Sequence, residues 1–289
     1  MDISFQPIPN FEDAPLAAYR ELFSFSFPTA INRFTDDYLR WLYFCNPAGN
    51  AVGYDAWDGN VLAAHYVCVP LTISLRGKTV PALLSLNTAT HPKYQGKGLF
   101  TKLAERTYEK AISSGFACVV GIANANSTPG FLRKLGFGLV GPLSAKIGLG
   151  EFKSSWPGNL SNIEFMQVWT ADSLQWRSGN PSNPVALTNP RPGLIACNTN
   201  SQIWGISAYA ELPSVVAEKS LFTEANYFSP IKVYVGSFPS RLFPSHFYVD
   251  IPQRFRPSPL NFIFKSLQPD VTAPATSAVL LSFMDFDAY

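Results

Sequence analysis

Charge is scarce in this chain. Lys, Arg, Asp and Glu make up 15% of its 289 residues, against roughly 25% in an average globular protein. The 22 basic residues are scattered rather than gathered into a stripe, and the net charge is only +2. The electrostatic footprint of a nucleic-acid-binding surface is missing, so DNA and RNA are not expected partners. Histidine is limited to three residues and cysteine to four (Cys45, Cys68, Cys118 and Cys197), with no Cys-x-x-Cys pair. That is poor material for a zinc site or a disulfide framework: no metal is expected, and the thiols read as buried apolar side chains. Long apolar runs are missing too. The richest stretch, Val61 to Leu75, is broken by His65 and Pro70 and is too short to cross a hydrocarbon layer of about 30 Å. The N-terminus, Met1-Asp2-Ile3-Ser4-Phe5-Gln6-Pro7, carries no basic region and no apolar leader. A cytoplasmic chain without membrane insertion is the expectation.

Apolar residues are plentiful at 47%, with 23 Phe, 12 Tyr, 6 Trp and 24 Pro. Such a chain buries a large core crossed by rigid loops, and the low charge density permits a subunit interface without requiring one. Its length suits two domains. From Asp36 to Tyr43 the pattern is helical and ends at Asn46-Pro47. Val52–Trp57 and Val61–Val69 read as strands joined across Asp58-Gly59-Asn60, and Leu83–Thr90 as a further strand. The spacing from Leu99 to Ile112 predicts an amphipathic helix stopped at Gly115; a buried strand over Phe116–Ile122 and a short helix from Pro129 to Gly136 follow.

Past residue 150 the text turns rich in proline and short apolar segments, without a long amphipathic helix. The boundaries expected are therefore 1–150 and 151–289. One internal match stands out: Asp37-Tyr38-Leu39-Arg40-Trp41 before Asn46-Pro47, and Asp172-Ser173-Leu174-Gln175-Trp176 before Asn180-Pro181. A degenerate repeat and an unrelated β-rich domain both accommodate it.

Chemistry concentrates where the strand Thr88-Ala89-Thr90-His91 runs through Lys93-Tyr94-Gln95-Gly96-Lys97-Gly98-Leu99-Phe100 into the long helix. Consecutive amide N–H groups in a glycine-bearing loop at a helix N-terminus form a nest for a diphosphate. Gly98 follows Lys97 where a Walker loop needs Ser or Thr, and Thr101 stands where a dinucleotide fingerprint needs its third glycine.

Gln95-Gly96-Lys97-Gly98-Leu99-Phe100 resembles the pyrophosphate motif of the GNAT superfamily of acyl-CoA-dependent N-acyltransferases, [Q/R]-x-x-G-x-[G/A], with Phe100 departing at the last position. Asn124-Ala125-Asn126-Ser127 and Phe131-Leu132-Arg133-Lys134-Leu135-Gly136-Phe137 resemble the family's second motif. The resemblance covers residues 88–137. It implies an α+β GNAT fold, a mixed sheet splayed between the strands at 83–90 and 116–122 with flanking helices, followed by a β-rich C-terminal domain. Backbone groups of Thr88, Ala89 and Thr90 would pair with pantetheine as an added strand. Gln95, Gly96, Lys97, Gly98, Leu99, Phe100 and Thr101 would hold the diphosphate of acetyl-CoA or another acyl-CoA, with Phe100 turned away. Asn124, Asn126 and Phe131 would complete the cofactor site.

The family's usual acid, a Tyr on the second motif's helix, is replaced by Leu132, and no Glu or Asp lies on the strand 83–90. Ser85 and Asn87, placed on one face by period-two alternation, and His65 on the adjoining strand are the catalytic candidates. A satisfied sheet histidine is the competing reading of His65, a structural hydrogen bond that of Asn87, and His91 reads as structural. Positioning alone can reach effective molarities of roughly 10⁵–10⁸ M, so a site without a general base remains serviceable. The expected partner is a small-molecule amine. The loop and the Asn-x-Asn-Ser sequence are similar to those of bacterial acyltransferases acting on nucleotide-linked amino sugars, for which Trp156, Trp169, Trp176 and Trp204 offer stacking surfaces or core packing. The alternative is a CoA-binding or sensing module of GNAT-like fold that does not turn over.

Overall fold

Apolar runs buried on both faces lay down the central strands, Val61–Leu75, Cys118–Ala123, Leu194–Asn200 and Ser207–Pro213 among them. The computed structural model describes residues 2–152, 160–213, 216, 219–223, 229–239, 247–256 and 258–286. In chain order the first half holds β1 (Ile3–Pro7), α1 (Leu16–Ser26), α2 (Asp36–Phe44), β2 (Val52–Asp58), β3 (Val61–Leu75), β4 (Lys78–Thr90), α3 (Leu99–Ser113), β5 (Cys118–Ala123), α4 (Thr128–Lys134), β6 (Gly138–Pro142) and β7 (Ser144–Leu149). The second half holds β8 (Phe165–Gln167), α5 (Ala171–Ser178), β9 (Ala186–Arg191), β10 (Leu194–Asn200), β11 (Ser207–Pro213), β12 (Ile231–Gly236), β13 (Tyr248–Asp250) and β14 (Asn261–Ser266). Among the described residues no helix is long and apolar enough to cross a membrane. The apolar stretch 61–75 is one strand, buried along most of its length.

The first sheet runs β1-β2-β3-β4-β5-β14-β6, with β8 paired to β3; the second runs β9-β10-β11-β12-β7-β13. In the first, β2/β3 and β3/β4 are antiparallel, β4/β5 parallel, and β5/β14 and β14/β6 antiparallel. In the second, β9/β10 and β10/β11 are antiparallel, β11/β12 parallel, and β12/β7 and β7/β13 antiparallel. Both therefore have the same order and sense, and each is introduced by a helix, α2 or α5. This arrangement favours the repeat over an unrelated β-rich unit.

The two repeats exchange a strand. β7 follows β6 in the chain but pairs in the second sheet, while β14 follows β13 and pairs in the first. Residue 150 consequently does not separate the sheets: Asn261–Ser266 lies between β5 and β6, edged by Ala123 and Pro142. A consecutive two-domain reading has no sequence signal for such an exchange, because a strand's pattern does not name its sheet.

The matching segments meet in space. Trp41 of α2 donates its indole N–H to the Trp176 carbonyl at 2.8 Å, Trp176 of α5 donates to the Trp41 carbonyl at 3.0 Å, and the rings stack at 4.9 Å. Trp176 is thus a packing residue, as is Trp169 in the second core; Trp204 is 99% exposed, and Trp156 lies outside the described residues. The first sheet is covered on one face by α1 and α2, through Tyr19, Phe23, Leu39 and Leu42, and on the other by α3 and α4, through Leu103, Ala104 and Phe131. Cys68, Cys118 and Cys197 are buried; Cys45, at the end of α2, is exposed and departs from the expected burial.

Candidate functional site

The glycine loop is shaped for an anion. Gly96 and Gly98 have φ of 77° and 73°, in the left-handed region, and a Cβ at either would meet nothing within 4 Å. The loop is held by its backbone rather than by packing, and its surface is open. Gly98 caps α3, whose Lys102 amide is the first to bond back, to the Gly98 carbonyl at 3.1 Å. The amides of Leu99, Phe100 and Thr101 precede that first bond and point out of the helix. They line a cleft of about 280 Å³ together with Thr90, Gln95 and Lys134 of α4. Lys134 was legible only as part of the second motif's closing residues. The Lys97 ammonium lies over the Tyr94 ring at 5.0 Å.

Phe100 turns inward, edge-on to Tyr66 and Phe131. Gly130 leaves room for it, since a Cβ there would stand 3.4 Å from the Phe100 ring. The departure from the motif is thus absorbed by helix packing. For the same reason Phe131, 6% exposed, is a core side chain rather than a cofactor contact. Leu99 is likewise core and offers its amide alone. The Asn124 side chain accepts the amides of Asn126 and Ser127 at 3.0 and 2.9 Å, and so fixes the entry to α4; Asn126 is exposed beside it.

β4 and β5 pair over Ala82–Ser85 and Cys118–Gly121 and then part. Beyond the parting, β4 carries a bulge: His65 faces Ala89, Val67 faces Leu86, and Tyr66 opposes both Asn87 and Thr88. Asn87 adopts φ of 47°, which Asn tolerates better than most residues. The bulge overturns the expected common face of Ser85 and Asn87. Ser85 points toward α3, donating to the Tyr66 hydroxyl at 3.0 Å, which is 2.7 Å from the Tyr108 hydroxyl. Asn87 points toward α2, donating to the Tyr43 hydroxyl at 3.2 Å. The Thr88 hydroxyl is buried with no partner among the described residues.

Behind Asn87 runs a buried chain of polar groups. Tyr43 lies 3.1 Å from His65 Nε2, and His65 Nδ1 lies 2.6 Å from Asp55, which also accepts the Tyr19 hydroxyl at 2.8 Å. All bonds are satisfied when Nδ1 carries the proton and Tyr43 donates to Nε2. Burial pushes the Tyr43 hydroxyl far above its ordinary pKa, so it is neutral. His65 is 0% exposed, which places it out of reach of an acceptor; any influence on chemistry passes through Tyr43 and Asn87. Sequence reading missed Tyr19, Tyr43 and Asp55, although Asp55, an acidic residue inside a strand directly across from His65, was the available signal. His91 accepts the Lys93 amide and packs on Phe25 and Tyr94, a structural role. His246 lies outside the described residues.

These features coincide with a known domain. Residues 19–140 match the family model described as an acetyltransferase (GNAT) domain. This region is similar to a GNAT domain. Solved structures show the same fold over more of the chain. A GCN5-related N-acetyltransferase from Anabaena variabilis ATCC 29413 is 12% identical, with a TM-score of 0.58 over 92% of this chain and 73% of that one. A conserved protein from Enterococcus faecalis V583, described as a probable N-acyltransferase, is 10% identical with a TM-score of 0.56 over 92% and 73%. Eis1 from Mycobacterium abscessus is 9% identical, with a TM-score of 0.53 over 92% and 74%. A search of curated proteins finds no match. GNAT domains use acyl-CoA, and the open glycine cradle, the outward amides of α3 and the orphaned Thr88 hydroxyl at the strand parting fit such a ligand. Among the described residues no group of His, Cys, Asp or Glu side chains could hold a metal ion.

Proposed function

We propose that the protein transfers an acyl group from acyl-CoA to a small primary amine by direct attack in a ternary complex. The observation that carries this reading is the coincidence, on one strand, of the bulge at Asn87 and the glycine loop that follows it. Residues 95–101 would hold the diphosphate by backbone amides, and the edge of β4 from Thr88 to Thr90 would align the pantetheine. When bound, acyl-CoA supplies the activated thioester. The backbone at the bulge, released from regular pairing, offers an N–H to the carbonyl oxygen. Asn87, fixed by Tyr43 and through it by His65 and Asp55, orients the incoming group or a water beside it. Ser85, engaged with Tyr66, supports the strand.

The finer reading, a nucleotide-linked amino sugar as acceptor, draws on the loop and Asn-x-Asn-Ser sequences, and a cytoplasmic location follows from the supply of acyl-CoA. In this reading residues 1–150 with β14 carry the donor, and the remainder of 151–289 helps to seat the acceptor. Calorimetry with CoA, followed by thiol release from acetyl-CoA and longer acyl-CoAs against amines including amino sugar nucleotides, tests it. We expect micromolar-range CoA binding and release with at least one amine. Binding without release for any acceptor would favour the sensing module; no binding would remove the reading. His65→Ala and Asn87→Ala should lower turnover more than CoA affinity.

A further inference from the structure

We infer that the cavity between the two repeats seats the acceptor as a small monocation, its ammonium group facing the carboxylate of Asp285; the inference rests on the acyltransferase reading above. The cavity, about 200 Å³, is walled by Leu84 and Leu86 of β4, Leu42 of α2, Trp176 and Arg177 of α5, and the turn 284–286. Leu86 immediately precedes the bulged Asn87, so the cavity opens beside the strand on which the thioester would lie. Its size falls below the roughly 300–1,000 Å³ of pockets for drug-sized ligands, which suits one compact amine and leaves any nucleotide outside.

Two smaller hollows share Gln167 and Asp285 with this cavity, which puts Asp285 at their junction. Its Oδ2 accepts the Ser282 amide at 2.7 Å and the Ser282 hydroxyl at 3.0 Å; its other oxygen has no partner among the described residues. Arg177 is the nearby cation, yet its guanidinium donates to the carbonyls of Phe283, Met284 and Phe286 rather than to the carboxylate. Arg177 therefore builds the turn that presents Asp285 and, by its charge, helps keep the carboxylate ionised. Burial pushes the Asp285 pKa up to about 6, with the Ser282 bonds and Arg177 opposing.

The other ionisable groups around the junction are Asp172, exposed at the rim on α5, Glu211 of β11, which accepts the Tyr209 hydroxyl at 2.7 Å, and Tyr234 of β12, which donates to the Leu281 carbonyl at 2.6 Å. Cys197 of β10 feels the Asp285 charge through its own burial. Arg177 attracts the Asp285 carboxylate but is committed to the turn carbonyls, so an ammonium ligand would give it a direct ion pair. Asp285 then accepts one ammonium proton and later releases it to water; the freed lone pair forms the C–N bond, the thioester C–S bond breaks, and the second nitrogen proton leaves with the CoA thiolate as free thiol.

The full chain is assayed for thiol release from acetyl-CoA with ethanolamine and glucosamine as monocations and putrescine as a dication, beside CoA calorimetry. We expect release with a monoamine, a KM for it raised at least tenfold in Asp285→Asn, and CoA affinity within twofold. Ala48→Trp, at the exposed mouth of the cavity, should raise the same KM with CoA binding intact. An unchanged amine KM in both variants overturns the inference, as does release with putrescine alone. CoA binding without release for any amine overturns instead the acyltransferase reading beneath it, as does wild-type protein that fails to bind CoA. A melting temperature of Asp285→Asn at or above wild type at pH 8 shows that any kinetic loss does not come from unfolding.

Discussion

In the first sheet the parallel strands β4 and β5 are joined by residues 91–117, which hold the glycine loop and the four-turn helix α3. In the second, the equivalent strands β11 and β12 are joined by residues 214–230, whose described part holds one 3-10 turn, Lys219–Leu221. The ladders differ as well: β3/β4 shifts register at Asn87, while β10/β11 runs unbroken from Leu194 facing Pro213 to Asn200 facing Ser207. Where the second sheet would part, Phe152 packs against Tyr209 of β11 at 4.9 Å and Tyr234 of β12 at 5.2 Å between ring centres. One architecture thus occurs twice, and among the described residues the bulge and the cradle, the two features that suit an acyl carrier, occur in one copy. Function resides in what is grafted on the fold.

The comparison breaks most sharply at Gly98. Gly98→Trp puts a bulky side chain at φ of 73° in the open face of the cradle and should cut CoA affinity more than 100-fold in calorimetry, whereas Tyr209→Phe in the second sheet should leave it unchanged. Equal loss from both would mean that the two copies are not functionally distinct.

The contact that ties the copies together is the next largest effect. Trp176→Ala removes a stacked indole and one member of the reciprocal bond pair with Trp41, and should cost about 3 kcal/mol in urea unfolding. Trp41→Ala should cost a similar amount. The double variant should lose clearly less than their sum, since both remove the same pair; simple additivity would show that the helices do not depend on each other.

A third effect separates the bulged ladder from the regular one. Asn87→Gly keeps the backbone at ease with positive φ and removes the side chain held by Tyr43. It should lower kcat about tenfold, near 1.4 kcal/mol, with CoA affinity within twofold. Unchanged kcat would assign Asn87 a role in strand geometry alone.

How much of this was legible in the sequence follows from locality. The order helix, hairpin, strand, glycine loop, helix and strand over residues 36–123 was readable because periodicity and turn residues act within a few positions. The match of Asp37–Trp41 with Asp172–Trp176 was readable for the same reason, and those two segments prove to pack on each other. The exchange of β7 for β14 was not, since pairing partners more than 100 residues apart leave no local pattern. The bulge defeated the period-two placement of Ser85 and Asn87, because one residue in the left-handed region reverses every face beyond it. Asp285 stayed hidden for a related reason: near the C-terminal end of the sequence it reads as a surface carboxylate, and only the meeting of the two repeats encloses it.

Asp285 gives the smallest effect and the most particular one, because it belongs to neither sheet. Its pKa stands near 6 in the fold against an ordinary 3.8, so ionising it opposes folding: the cost is present above about pH 6 and vanishes as pH falls below about 4. Asp285→Asn removes that cost while its amide oxygen can still accept the Ser282 amide. The shift of about two units holds the gain to no more than about 3 kcal/mol, the attraction of Arg177 being already contained in it. Chemical denaturation across pH 4 to 8 should show the variant more stable at pH 8, with the gap closing between pH 6 and 4. A CoA-saturated protein given a binding monoamine should reverse the order at pH 8, because the wild type then has its counter-charge and the variant does not. A variant less stable at pH 8 without ligand would mean that Arg177 already neutralises the carboxylate, and the cavity between the repeats would have no charge to offer.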